Sequence, residues 1–341
     1  MTPSRFQEIT ERYRDLSIAV LGDFCLDRYL EIDPAKREVS LETGLPVHNV
    51  VNVRAQPGGA GTILNNLSAL GVGAIFPIGF IGEDGEGLEL WGAMEKRPGV
   101  RLDYLLKTVQ RRTFTYCKPL VMAPQKPPVE LNRLDFKNWT ETPALLQGVL
   151  LERLRTAAGS VNVVIVLEQV DIPETGVVTQ KILAGLSQLM EANSELLVVS
   201  DSRRGLRGYP PVVLKMNAAE LESLTGATTP LGMDEIKQVA VDLARDRGRS
   251  VFVTLAERGI LAAAPSGEIE HVPALPVRGA IDIVGAGDAV TANLTSALAA
   301  GATLREALEM ANAAGSVVIH KLGTTGTASV EELAGLVTRD A

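Results

Sequence analysis

Apolar residues along this chain fall into two alternating kinds of segment. Short continuous runs at Ser17–Leu21, Val161–Leu167, Leu196–Ser200, Val212–Met216 and Ser250–Leu255 have the pattern of strands buried on both faces. Longer stretches with helical spacing separate them: Phe6–Arg14, Ala60–Leu70, Glu83–Lys96, Thr142–Ala157, Gly176–Ala192, Ala218–Thr225, Met233–Arg247, the run after Gly287, Leu304–His320 and Val330–Val337. This alternation predicts an α/β fold, a mostly parallel sheet with helices on both faces. Two regions break the rhythm. Tyr29–Val53 has Pro34, Pro46, mixed charge and no helical period, and reads as two or three short strands standing outside the main sheet. After a strand at Ala74–Gly79, the stretches Asp103–Leu106, Thr113–Val121 and Val129–Leu134 read as further strands around the Pro124–Pro128 loop, and a hairpin is expected at Gly259–Val272. A small β-strand lid is therefore expected from segments 28–54 and 111–135. No internal repeat or linker divides the chain, which predicts a single domain over 1–341.

Composition narrows this picture in a few ways. Hydrophobic residues make up 46% but aromatic ones only 4%, so the core must be built from Val, Leu, Ile and Ala. A net charge of −8 gives no footprint for nucleic acid, although a local anion site can sit on an acidic protein. Cys25 and Cys117 match no metal spacing and read as free thiols, while His48, His271 and His320 are too scattered for a zinc site. The segment Met1–Arg14 is charged and lacks an apolar signal region, and no apolar run is long enough to span a bilayer. A cytoplasmic location without membrane contact is expected.

The chemistry concentrates in Asp282-Ile283-Val284-Gly285-Ala286-Gly287-Asp288, a glycine turn running into an alanine-rich helix. Unpaired N–H groups at such a helix start, together with the positive end of its dipole, form a site for phosphate. A carboxylate beside a phosphate pocket repels phosphate, so Asp288 needs a reason to be there. Taking the proton from a hydroxyl that attacks the phosphate is one; capping the helix is the other.

A second pair, Asn217 and Glu220, falls at a strand end and one turn into a helix. An amide and a carboxylate on one face can hold a hydrated Mg²⁺–phosphate complex, or they can form a capping box. Asp23 and Asp27 follow the first strand, where open α/β sheets place ligands, and paired carboxylates suit sugar hydroxyls. They fit a turn cap and an exposed acid equally well. Gly58-Gly59 stands before a helix and fits either a close ligand approach or a tight turn. Neither G-x-G-x-x-G after the first strand nor a G-K-[ST] loop is present, which counts against nicotinamide and P-loop enzymes. Together, an anion cradle, a magnesium holder, a carboxylate base and a polar pocket make the parts of a phosphoryl-transfer site.

With those residues assembled, the chain resembles the PfkB, or ribokinase-like, carbohydrate kinase family from about Ser17 to Glu332. The resemblance is carried by Asp282–Asp288, Gly58-Gly59, Ile78–Gly87, Asn217–Glu220 and Val253–Gly259. It implies a ribokinase-like fold and ATP-dependent phosphorylation of a sugar hydroxyl. Asp288 is then the base, and the amides of Gly285, Ala286 and Gly287 stabilise the transferring phosphoryl group. Asn217 and Glu220 act on Mg²⁺ through water, and Thr254, Gly259 and Asn312 lie around the nucleotide. Asp23, Asp27, Gly58, Gly59, Asn66 and Arg133 face the sugar, and Asp282 neighbours a monovalent cation such as K⁺. A homodimer through the lid is implied too, and is independently expected if the lid leaves an apolar side to cover.

Within the family the resemblance is to the heptose 7-phosphate kinases of lipopolysaccharide-core precursor synthesis, through Gly22–Tyr29, Leu131–Asp135, Ala311–Ala314, Lys321–Thr324 and Asp201-Ser202-Arg203. That branch commonly adds a nucleotidyltransferase, a step expected here to fall to another protein. The chain departs from the pattern at Thr62, where the family has Asn, at Ile283, where it has Thr or Ser, and in Ser40–Pro46. It also departs at Glu168–Ile172, where a Lys is lost. Those departures motivate the alternative of a catalytically silent sugar- or nucleotide-sensing protein on the same fold.

Overall fold

The computed structural model describes residues 1–338. The most apolar runs lie at its centre, where Ser17–Gly22 and Val163–Glu168 pair in parallel within a nine-stranded sheet. From one edge the order is Ile269–Val272, Ile260–Ala263, Val251–Thr254, Val213–Asn217, Leu197–Ser202, Val163–Glu168, Ser17–Gly22, Ala74–Gly82 and Leu105–Thr108. Pairing is parallel throughout, apart from the two strands at the Ile269–Val272 edge. The chain builds outward from Ser17–Gly22 in one direction, then returns beside it and builds outward in the other. Its reversal point opens a crevice at the C-terminal strand ends, where sheets of this kind bind ligands.

Period-two alternation sorts the layers. Ile18 and Val20 face the helices Pro3–Glu11, Ala60–Ala69, Gly85–Glu95, Ala286–Ala299, Leu304–Ile319 and Val330–Val337. Ala19 and Leu21 face Ala144–Ala158, Gln180–Ala192, Ala218–Thr225 and Met233–Arg247. The helix Ala286–Ala299 is enclosed on all sides, with every residue from Ala289 to Ala297 buried. Small side chains make that possible. Its buried polar groups bond back one turn: Thr291 to the Gly287 carbonyl at 3.0 Å, Asn293 to Ala289 at 2.9 Å and Ser296 to Ala292 at 2.8 Å.

The lid is larger than the sequence pattern suggested. Its central strand starts at Phe24, directly after the first core strand, and runs to Ile32. It pairs antiparallel with Val50–Gly59 and in parallel with Phe114–Val121. Leu134–Phe136 and Val129–Glu130 pair with Phe114–Val121, so the single strand expected at Val129–Leu134 is two short ones. One side of this sheet leaves Val50, Val53, Val129 and Leu134 exposed. The helix expected from Gly176 begins at Gln180, because Asp23 draws the Val177 amide into a loop and Thr179 caps the helix instead. No helix among the described residues is long and apolar enough to cross a membrane.

Gly259 closes the Val251–Ala263 hairpin with φ +95°, and a Cβ there would press on the Val272 carbonyl and lie 2.7 Å from the Ala274 nitrogen. Its place is thus set by packing. Gly259→Ala should lower unfolding stability by about 1–3 kcal/mol in urea titration; an unchanged midpoint would show that the hairpin relaxes freely.

Candidate active site

The turn into the Ala286–Ala299 helix takes its shape from Gly285, whose φ of +81° is left-handed. Asp282 fixes the approach. Its Oδ1 accepts the Val284 amide at 3.0 Å and its Oδ2 the Gly323 amide at 3.2 Å. The Ala286 amide donates to the Ile283 carbonyl at 3.2 Å, so this member of the expected anion cradle is already engaged. Gly287 and Asp288 follow as the second and third helical residues, whose amides find no carbonyl within the helix. Asp288 is half-buried there. Burial, then the Asp201 carboxylate, raise its pKa; Lys215 and Arg203 oppose them, and the balance stands at about 7.

Beneath this turn two neighbouring strands each direct a charge upward. The Lys215 ammonium donates to Asp201 Oδ2 at 2.7 Å, and Thr291 donates to the same oxygen at 3.0 Å. Sequence reading passed over Lys215. Its signal was a lone cation inside the apolar run Val212–Met216. Arg203 was noticed only as part of a motif, yet its charge bears on Asp27, Asp288 and Glu220 alike.

Asn217 and Glu220 form a reciprocal capping box: Glu220 Oε2 accepts the Asn217 amide at 2.7 Å, and Asn217 Oδ1 accepts the Glu220 amide at 2.9 Å. Glu220 Oε1 stays unengaged by the box. Burial raises the Glu220 pKa, and its charge bears on Lys215, as does that of Asp288. Thr254 pairs in register with Asn217 on the adjoining strand. Asn312 donates to the Pro273 carbonyl at 2.8 Å. No cluster of three or more His, Cys, Asp or Glu suited to a metal exists among the described residues.

The acceptor side needs the most correction. Asp23 is fully buried, with Oδ2 accepting the Gln169 and Val170 amides at 2.9 and 3.2 Å and Oδ1 the Val177 amide at 2.6 Å. It organises loops and turns no oxygen toward a ligand. Burial still raises its pKa to about 6. Asn66 is likewise sealed: it donates to the Thr62 carbonyl at 3.0 Å and accepts the Ala328 amide at 3.2 Å. The double glycine serves its neighbours. A Cβ on Gly58 would lie 2.7 Å from Asp27 Oδ2, and one on Gly59 would lie 2.5 Å from the Asp23 carbonyl. Asp27 remains in place, its Oδ1 3.7 Å from Lys118 Nζ, another lid residue missed in the sequence. Arg133 is held by Asp135 through two bonds of 2.7 Å and stacks over Tyr116, 5.0 Å from the ring centre. Of the departures, Ile283 is exposed on the signature loop and Thr62 is buried in the Ala60–Ala69 helix. Glu168 is tied to Ser202, Arg204 and Tyr209.

A latch joins lid to turn. Gln56, near the end of a lid strand, accepts from Thr324 at 3.0 Å and donates to Thr325. Thr325 in turn packs against Gly285.

Residues 177–331 match the family model described as pfkB family carbohydrate kinase. The chain is also 30% identical over 320 residues to the bifunctional protein HldE of Azorhizobium caulinodans, an alignment covering 94% of this chain and 64% of that protein. The chain belongs to the pfkB carbohydrate kinase family. It spans a little under two thirds of the length of the curated relatives it matches. Among solved structures, the Arabidopsis thaliana ribokinase complexed with ribose and ATP superposes with a TM-score of 0.69 at 21% identity, over 95% of this chain and 99% of that one. The Escherichia coli phosphofructokinase-2 in complex with potassium gives 0.70 at 18% identity, over 94% and 98%. This pfkB-family fold is ribokinase-like. The family signature Asp282–Asp288 stands at the head of the enclosed helix.

A pKa raised to about 7 makes Asp288 costly to the fold whenever it is ionised. Its folded pKa exceeds the unfolded value of about 4, so stability is lost as pH rises from about 4 to about 7. Asp288→Asn should therefore melt above the parent protein at pH 8, and the gap should close as pH falls toward 4. A gap independent of pH would contradict the raised pKa.

Proposed function

We propose that this pfkB-family protein transfers the γ-phosphoryl group of ATP to a hydroxyl of a sugar or sugar phosphate, a heptose 7-phosphate being the acceptor suggested by resemblance. The reading rests above all on Asp288, a carboxylate titrating near neutrality at the free amides of a buried helix start. It takes the acceptor proton as the acceptor oxygen attacks phosphorus, and the Gly287 and Asp288 amides face the charge that develops. Mg²⁺ enters with ATP as part of the substrate. Glu220 keeps one oxygen outside its capping box, enough to hold a water of that ion beside Asn217. The acceptor hydroxyls meet Asp27, with Lys118, Arg133 and Arg203 supplying positive charge around it. Asp282 carries one amide on each oxygen and retains lone pairs for a monovalent cation such as K⁺. A cytoplasmic location would give the enzyme its ATP.

Asp288→Asn should fold and lose turnover by roughly 10²- to 10⁴-fold, read by ATP consumption across sugars and sugar phosphates. In the parent protein, turnover should fall on the acid side of about pH 7, because the base must be ionised. A folded Asn variant with parental turnover would remove Asp288 from the mechanism. Measurable ligand binding without turnover on any acceptor would favour the sensing alternative.

The exposed lid residues Val50, Val53, Val129 and Leu134 suit a second copy of the same sheet. Sedimentation at micromolar concentration should give twice the chain mass, and Val53→Glu should halve it. A monomeric parent protein would refute lid pairing.

A further inference from the structure

The ion pair beneath the signature turn is expensive as mere scaffolding. Lys215 is 5% exposed and Asp201 8%, on strands whose neighbouring residues Leu214, Met216 and Val199 are core. Replacing a buried pair by apolar residues is often neutral or stabilising, so retaining one calls for a use. An ammonium has three N–H donors. Among the described residues, Lys215 spends one, on Asp201. Its Nζ lies 3.3 Å from where a Cβ on Gly287 would stand, directly under the free amides of the helix start. Alternation along Val213–Asn217 turns Lys215 toward that helix, as it turns Val213 into the same layer. Asp201, fixed from the other side by Thr291, keeps the ammonium from swinging away.

We propose that Lys215 is a catalytic residue whose ammonium donates to the phosphoryl group in transit, from beneath the Gly285–Gly287 turn. This rests on the phosphoryl-transfer reading above. The acceptor oxygen bonds to the γ-phosphorus as the bond from that phosphorus to the β,γ-bridging oxygen breaks. The bridging oxygen leaves with the bonding pair on ADP, and the acceptor proton goes to Asp288. Lys215 keeps its proton throughout and offsets charge on the non-bridging oxygens, which the two backbone amides meet from above. Asp201 is a positioning residue.

A simple Lys215→Met change leaves Asp201 charged, buried and unpaired, so a loss of turnover could report damage rather than chemistry. The informative variant is Lys215→Met with Asp201→Asn, which removes both charges. The charged groups bearing on Asp288 are Asp201 and Asp27, which raise its pKa, and Lys215 and Arg203, which lower it. The single variant should therefore shift the acid limb of turnover upward by roughly one pH unit, and the double variant should bring it back, since opposite effects cancel. Turnover in the double variant should nonetheless stay roughly 10²-fold below the parent, with a native melting transition and little change in acceptor KM. Calorimetry supplies a readout independent of the acceptor: Mg-ATP affinity should drop roughly tenfold in the double variant, while Mg-ADP affinity is kept. Recovery of parental turnover in the double variant, or equal losses for both nucleotides, makes Lys215 a strut and overturns the proposal. If the methionine variants fail to fold, Lys215→Gln with Asp201→Asn takes the same measurements. A parent protein without turnover on any acceptor defeats the kinase reading, while the comparison of Mg-ATP with Mg-ADP still decides whether Lys215 meets the terminal phosphate.

Discussion

The rest of the site depends on one packing constraint: the helix Ala286–Ala299 must lie inside the molecule, close against the sheet. Only a run of Ala, Thr, Ser and Asn side chains lets its backbone approach that closely. Once enclosed, the helix cannot shift along its axis without opening voids, so its first turn stays fixed over the C-terminal strand ends. The strands beneath it then decide the chemistry of that turn. Residues of matching parity on Leu197–Ser202 and Val213–Asn217 point upward, and there they are Asp201 and Lys215 rather than aliphatic side chains.

The same geometry explains the mixed electrostatics around Asp288. Two carboxylates and burial push its pKa up while two cations pull it down, and the outcome lies where a general base is most useful. Neither set of charges alone would produce that value. The structure therefore makes Asp288 sensitive to neighbours that never contact the reacting atoms, Asp201 foremost among them.

Much of this architecture was legible in the sequence, because buried strands and amphipathic helices write their periods plainly. Val163–Leu167 and Leu304–His320 needed no tertiary knowledge, and the glycine turn before Asp288 announced an anion site. What could not be read was which polar residues face a ligand and which face the protein. Asp23, Asn66 and Gly59 sit in motif positions and look functional, yet their work is to satisfy or accommodate backbone groups that arrive from far along the chain. Sequence carries no sign of those partners. The lid base was missed for a related reason: Phe24–Leu26 continues straight out of a core strand, and no turn residue other than Gly22-Asp23 marks the change of sheet. Asn217 and Glu220 carried two readings, and the capping box realises one of them without using up Glu220.

Gln56 links two regions usually considered apart. It belongs to the lid strand that ends in the double glycine, and it bonds to the threonines that rest on Gly285. An outward swing of that strand would loosen the acceptor pocket and the phosphate cradle in one motion. Whatever holds the lid down at one region thereby orders the other. Linkage then requires the effect to be mutual: if acceptor tightens nucleotide by some factor, nucleotide must tighten acceptor by the same factor. The two substrates would find each other's sites prepared through a single amide side chain, without touching.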